Sequence, residues 1–438
     1  MCNGLRTKLF FIGTCKKYIG NKYKKIGDYM NKERGAFITL HRPKLKLQKP
    51  TIYKCFMSIW FVLLCRPISI YYFSQEGILN SIYTWISRIL AIIAIILIAT
   101  YKNRRDSVIN WVVILSLSLL IATIIENGSL RRYFTLFYPL IALCCLMTVQ
   151  LQKEKKMTEF INAISNLFFV LSLLNLVCIL YNSQLFGIDT YLIGIKNQIG
   201  YALNIGLLLM YMDAYIKKDK LKLYVYICIY LLTVIKVASS SSFIGASIIL
   251  LYFLFPFIRK MILKIDFRIM LISYIFLFVG IVFFSTVVLN LEPVKFFIED
   301  ILGKNVTLTN RTVIWVKVIS DIIQKPFLGH GIQASSNLFY IHIDFLNRVA
   351  VDGTYSAHNQ ILQTLYEGGT IAIVLIFSLL WHVGKKIKEC SNDDISAICK
   401  LMLIVTLVMM LAESPGLDGL LIIVTLVSVF VKRIKIRG

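Results

Sequence analysis

Charge is scarce in this chain: Asp, Glu, Lys and Arg together make up 16% of its 438 residues, and only 23 are acidic. Soluble domains carry about 25% charged residues, so a soluble enzyme of this size is excluded. A disordered chain is excluded too, since 58% of the residues are hydrophobic and disorder needs low hydrophobicity. Eight prolines rule out a collagen-like or proline-rich linker sequence. The ten cysteines include no C-x-x-C pair, and most sit in or beside apolar runs, where cysteine behaves as a small hydrophobe. Neither a disulfide framework nor a metal site is expected. No D-x-D pattern of the kind that holds a divalent ion occurs in the segments read below as external.

What is abundant is apolar sequence, with a mean hydropathy of +0.73. A membrane-spanning helix needs about 20 mostly apolar residues. Spans are expected near 54–73, 85–101, 108–125, 135–151, 158–181, 198–216, 221–238, 242–258, 267–290, 362–383, 395–412 and 417–431. The fold class is therefore an all-α polytopic integral membrane protein of about 12 transmembrane helices. Residues 1–53 form a basic N-terminal tail, 54–290 the first nine spans, 291–357 one large loop, 358–431 the last three spans, and 432–438 a basic C-terminus. The apolar run Leu9 to Ile12 is too short for a signal peptide, and Met30 offers a second start.

The net charge of +25 would suggest nucleic acid in a soluble protein. Its distribution gives another account. With the N-terminus inside, the segments on that side hold 35 Lys and Arg and those on the other side hold 9. This asymmetry obeys the positive-inside rule, places both termini in the cytoplasm and leaves no need for a nucleic-acid partner.

The 291–357 loop is charge-balanced and much longer than its neighbours, and long loops are usually functional. Residues Arg311 to Gln324 carry Val313, Ile314, Val316, Ile319 and Ile322 at spacings that suit a helix lying at the interface or packed across the spans. Arg311 and Trp315 are four apart and share a helix face; by themselves they also fit an interfacial helix with a snorkelling arginine. In Pro326-Phe327-Leu328-Gly329-His330-Gly331 the glycines permit a left-handed turn or a close backbone approach. His358 stands where the loop re-enters the membrane. With Ser356 as N-cap it would fall in the first helical turn, where the helix dipole disfavours imidazolium and a neutral ring could accept a proton. A histidine merely hydrogen-bonded at the interface is the plainer alternative.

Taken in order, Arg311, Trp315, Pro326, Gly329, Gly331, His358, Asn359, Glu367 and Gly368 resemble the signature of the O-antigen polymerase/ligase superfamily, which holds Wzy-type polymerases and WaaL-type ligases. The resemblance covers about 310–370. It implies a GT-C-like membrane glycosyltransferase, needing no metal or other cofactor, that uses a polyprenyl-diphosphate-linked oligosaccharide on the outer face of the bacterial cytoplasmic membrane. It further implies His358 as general base and Arg311 as clamp on the leaving diphosphate. Trp315, Gly329, Gly331, Asn359 and Glu367 would contact diphosphate or sugar, with Glu367 placed too far along the helix to orient His358. Lys196 and Asn197, in Gly194-Ile195-Lys196-Asn197-Gln198-Ile199-Gly200, stand where relatives often have an arginine. A lysine there is a point charge and not a bidentate fork. Ser239 to Ser242 is followed by Phe243 where relatives often have another arginine. Polymerisation of repeat units of a capsule, O-antigen or exopolysaccharide is the first reading and ligase activity the second. Membrane lipid, a chain-length regulator and a flippase are the expected partners. A flippase or solute transporter is the rival from another class, with Arg88 and Lys236 as in-span charges. The two halves, however, show no repeat of the kind common in transporters.

Overall fold

The computed structural model describes residues 52–65, 78–100, 106–151, 154–181, 189–286, 291, 311–334, 340–345, 348–353, 356–414 and 416–437. All lie in the unit Thr51–Gly438. The expected N-terminal tail, and the loop residues 292–310, lie outside the described residues.

Among the described residues, ten helices precede the long loop: α1 Ile52–Cys65, α2 Ile78–Thr100, α3 Ser107–Ile125, α4 Leu130–Leu151, α5 Glu154–Tyr181, α6 Ile199–Lys217, α7 Leu221–Val237, α8 Ser240–Leu254, α9 Pro256–Lys264 and α10 Phe267–Thr286. The loop contributes α11 Arg311–Gln324 and the strands β1 Tyr340–Phe345 and β2 Arg348–Gly353. Then come α12 Gln360–Lys388, α13 Asp393–Ala412 and α14 Asp418–Arg437.

A helix overlaps each of the twelve expected spans. Among the described residues, however, seven helices are long and apolar enough to cross a membrane, or eight if α8 and α9 count as one bent span. The count of twelve is thus not reached. Two reasons are physical: α1 has 14 residues and α7 has 17, short of the roughly 20 a full span needs. A third is the bend of 106° between α8 and α9, at Pro256, which opens α9 and cannot donate a backbone hydrogen bond to α8.

Among the described residues the fold is all-α as expected, with one small hairpin added in the loop. β1 and β2 pair antiparallel, from Tyr340 opposite Gly353 to Phe345 opposite Arg348. Ile341 and Ile343 on one strand, and Val349 and Val351 on the other, alternate with polar or small residues, which is the period of a strand. The amphipathic stretch, by contrast, folds as the helix its spacing implied, with α11 covering 311–324.

The centre of the bundle is α13, whose apolar window is 83% buried, whereas that of α10 is 17% buried and faces outward. Buried polar groups at one end of the bundle are matched in pairs. Asp106 caps α3 through the Val108 N–H and accepts from Lys386 Nζ at 2.6 Å and Ser428 Oγ at 2.9 Å. Burial pushes the Asp106 carboxyl up, but the Lys386 ammonium and the hydrogen bonds from Lys386, Val108 and Ser428 together outweigh it, so the carboxyl stays below its ordinary range. Asp213 pairs with Lys217 and Lys222 at 3.0 and 3.2 Å.

Candidate functional site

The opposite end of the bundle is built around a break in α12. At Gly369 the backbone takes φ 62°, ψ −163°, a region open essentially to glycine alone. A break exposes backbone groups that must find partners, and the 325–332 turn supplies them. Thr370 and Ile371 donate to the carbonyls of Pro326 and Phe327 at 2.8 and 3.3 Å, and the Tyr366 carbonyl accepts from the His330 N–H at 2.7 Å. The approach leaves no room for side chains. A Cβ on Gly329 (φ 69°) would meet the Tyr366 oxygen at 2.5 Å, and one on Gly331 (φ 69°) would meet Thr123 Cα at 2.6 Å. The two glycines and the Gly368-Gly369 pair are therefore one packing device.

That device fixes the segment preceding α12. Trp315 is buried and donates Nε1–H to the Ala357 carbonyl at 2.8 Å. With Ile314 and Val318 it packs against Leu362 and Tyr366. Asn359, not Ser356, caps α12: its Oδ1 accepts from the N–H groups of Ile361 and Leu362, and its Nδ2 donates to the Leu411 carbonyl at 2.9 Å. Ser356 Oγ accepts from the His358 N–H instead. His358 thus stands before the helix rather than in its first turn, because Asn359 satisfies two orphan donors where Ser356 would satisfy fewer. His358 itself adopts φ +46°, a left-handed conformation uncommon outside glycine, which turns its ring toward the α13–α14 connection.

There it meets a residue that the sequence alone did not single out. Glu413 Oε2 lies 3.3 Å from His358 Nδ1, and Glu413 Oε1 accepts from Arg311 Nη2 at 2.5 Å. Arg311 Nη1 also donates to the Ala412 carbonyl at 2.7 Å. The Glu413 side chain is 6% exposed, against 25% for Arg311 and 35% for His358. One buried carboxylate therefore bridges the guanidinium and the imidazole. With Nδ1–H donated to Glu413, the ring presents Nε2 as an acceptor.

His358 and Glu413 line a cavity of about 660 Å³. Its walls include Asn197, Gln198, Gln360, Gln363, Glu367 and Asp418, together with Arg132 from the start of α4. Gln363 Nε2 donates to Glu367 at 2.7 Å. Arg132 Nη1 donates to the Gln333 carbonyl at 2.7 Å, so the same turn that braces α12 also holds this guanidinium. The apolar side of the cavity is formed by α4, including Leu136, Pro139 and Leu140.

Of the residues expected from the sequence, His358, Asn197 and Glu367 line the cavity. Arg311 stands behind Glu413. Trp315, Asn359, Gly329 and Gly331 shape the backbone around it and are not among its lining residues. Lys196 is turned to Asp189, 3.4 Å away in the hairpin before α6; the cation that reaches the cavity is Arg132. Ser239 caps α8, and Ser241 Oγ donates to the Asn197 carbonyl at 3.4 Å, so the serine cluster supports the Asn197 loop. Among the described residues no group of three or more His, Cys, Asp or Glu is placed to hold a metal ion.

These features define a multi-span membrane protein with a polar crypt at one end, in which a carboxylate joins a histidine to an arginine. The sequence profile of a family described as O-Antigen ligase matches residues 224–377, and over that segment the chain is similar to the family. The matched segment holds Arg311, Trp315, Gly329, Gly331, His358, Asn359 and Glu367; Arg132, Lys196, Asn197 and Glu413 lie outside it. Among curated proteins, the chain is similar to a "Putative polysaccharide ligase" of Rickettsia conorii, 29% identical over 42% of this chain and 43% of that protein. Proteins of the same name match at 28% identity in Rickettsia felis, over 41% of this chain and 43% of the relative, and at 30% in Rickettsia typhi, over 36% and 37%. The chain thus spans about two fifths of the length of the curated relatives it matches.

Proposed function

We propose that this protein is a glycosyltransferase that polymerises polyprenyl-diphosphate-linked oligosaccharide repeat units of a surface polysaccharide, at the outer face of the bacterial cytoplasmic membrane. The observation that carries this reading is the Arg311–Glu413–His358 relay at the cavity wall. Glu413 orients His358 so that Nε2 takes the proton from the attacking sugar hydroxyl, a contribution of about a hundred- to ten-thousand-fold for a well-placed base. Carboxylates and carboxamides dominate the polar walls, which suits the many hydroxyls of an acceptor glycan. The leaving diphosphate needs cations: Arg132 lines the cavity and can pair with its oxygens, and Arg311, behind Glu413, adds its positive charge at the wall. The apolar wall of α4 leads toward the bilayer and suits the polyprenyl chain. No step in this scheme calls for a metal, since side chains neutralise the leaving group.

The printed names of the relatives favour a second reading, transfer of a finished glycan to another acceptor. Deleting the gene separates the two. Loss of polymerase leaves single repeat units on their lipid and on any final acceptor, whereas loss of a ligase leaves long lipid-linked chains and a bare acceptor. Sidedness has its own test. Reporter fusions within 311–345 are expected to read external, and fusions at 217–222 and 385–392 internal; a cytoplasmic reading for 311–345 would overturn the scheme.

A further inference from the structure

A second cleft, of about 850 Å³, lies on the lipid-facing side of the molecule between α3, α10 and α12. Ile361, Leu365, Ile373, Phe377, Trp381 and Lys385 line it. Ile361 and Leu365 precede the break at Gly369, and Ile373, Phe377, Trp381 and Lys385 follow it, four apart along one stripe of the second half of α12. From residue 373 to 385 is 12 residues, about 18 Å at 1.5 Å each, enough for one leaflet of the roughly 30 Å hydrocarbon layer. The facing wall is α10, through Leu271, Ile275 and Phe278. Since α10 is largely outward-facing, the cleft opens to the bilayer and not to water.

One end of this apolar groove is cationic and aromatic. The Arg268 guanidinium carbon lies 5.1 Å from the centre of the Trp381 ring, and Lys385 Nζ lies 5.6 Å from it. Among the described residues neither cation is ion-paired. The acids nearby are otherwise engaged: Asp266 accepts from the Arg268 backbone N–H at 2.8 Å, Asp106 is held by Lys386 and Ser428, and Glu389 sits at the α12 C-cap. His382 is bound to Ser107 at 2.5 Å. Two unpaired cations bracketing an indole at the mouth of an apolar groove match an anionic headgroup with its acyl chain below.

We propose that this cleft binds one anionic phospholipid, with the headgroup phosphate between Arg268 and Lys385 and an acyl chain along the α12 stripe. The polyprenyl substrate is a poorer fit, because the cationic end lies at the far end of α12 from His358. The name of the leaflet rests on the orientation proposed above; the binding itself does not.

The test is native mass spectrometry of the purified full-length protein, titrated separately with phosphatidylglycerol and phosphatidylethanolamine. Wild type should take up one phosphatidylglycerol in preference. The double variant Arg268→Gln/Lys385→Gln should weaken that step about 25-fold, at about five-fold for each basic residue lost. Removing two exposed charges elsewhere, with Lys218→Gln/Lys220→Gln, should change it little. Val374→Trp, on an exposed cleft position, should weaken binding with all charges intact. Equal affinity for the two lipids would overturn the proposal. So would wild-type affinity in the Arg268/Lys385 variant, or a matching loss in the Lys218/Lys220 control. Displacement of phosphatidylglycerol by polyprenyl phosphate would reassign the cleft to the substrate.

Discussion

Replacing Glu413 by glutamine probes the site most directly, because it removes one charge while keeping the shape. In the native arrangement Glu413 accepts from Arg311 at 2.5 Å and faces His358 Nδ1 at 3.3 Å, with its own side chain 6% exposed. Removing one partner of a buried ion pair costs about 3–5 kcal/mol. Arg311 is one-quarter exposed, so water recovers part of this and the lower figure of about 3 kcal/mol applies. The substitution also reverses the hydrogen bond to the imidazole. If the amide oxygen stays on Arg311, the amide N–H₂ faces Nδ1 and donates to it. The proton then resides on Nε2, and the ring can no longer accept one from a sugar hydroxyl. That cost falls on folding stability; losing the base acts separately on the rate, by about a hundred- to ten-thousand-fold. The assay is polymer ladder length and release of polyprenyl diphosphate, in membranes from a deletion strain carrying the variant, normalised to protein level. Polymer of normal length and rate from Glu413→Gln, at normal abundance, would refute the relay.

His358→Gln should be as inactive as His358→Ala while both accumulate normally in the membrane and retain lipid-linked substrate; long polymer from the glutamine variant would remove His358 from the proton-transfer step. Arg311→Lys should fail nearly as badly as Arg311→Ala in the same ladder assay, because one ammonium cannot reproduce a planar fork that reaches both Glu413 and the Ala412 carbonyl. Gly369→Ala should lower stability by at least about 3 kcal/mol, combining a forbidden backbone region with a Cβ placed 2.1 Å from the Phe327 oxygen; thermal unfolding of purified protein would show the drop, and an unchanged midpoint would remove the packing argument. Arg132→Ala should weaken use of the lipid-linked donor more than it lowers the maximal rate, measured by varying donor concentration in purified vesicles.

The sequence carried the helices because apolar runs and amphipathic spacing are local properties, and α11 begins at Arg311 and ends at Gln324 as its pattern implies. It carried the number of crossings less well, because a 14-residue helix and a proline bend read as spans when only hydropathy is counted. The hairpin had a legible signal, the alternation in 340–353, that was overshadowed by the neighbouring helix. Within the site, motif residues were visible but several roles were not. For Trp315 and Asn359 the structure adds a role the motif did not reveal, since their side chains hold the Ala357 and Leu411 carbonyls in place. Glu413 gave no local sign. It follows an apolar helix in a short connection, 55 positions beyond His358 and 102 beyond Arg311, and only the packing of α13 between them brings the three together. Arg132 gave no local sign either, since only the fold carries the start of α4 to the cavity.

The separation of the relay along the chain has a consequence for biogenesis. Arg311 leaves the ribosome 102 residues before the carboxylate that neutralises it. At about 5–20 residues per second, that delay is roughly 5–20 s. During this interval the arginine has no Glu413 and His358 has no orienting partner, so the arrangement at the cavity wall cannot yet form. Competence arrives in one step, when α13 and the start of α14 have inserted. A chain that stalls or is truncated before residue 413 keeps Arg311 without the carboxylate it meets in the folded protein.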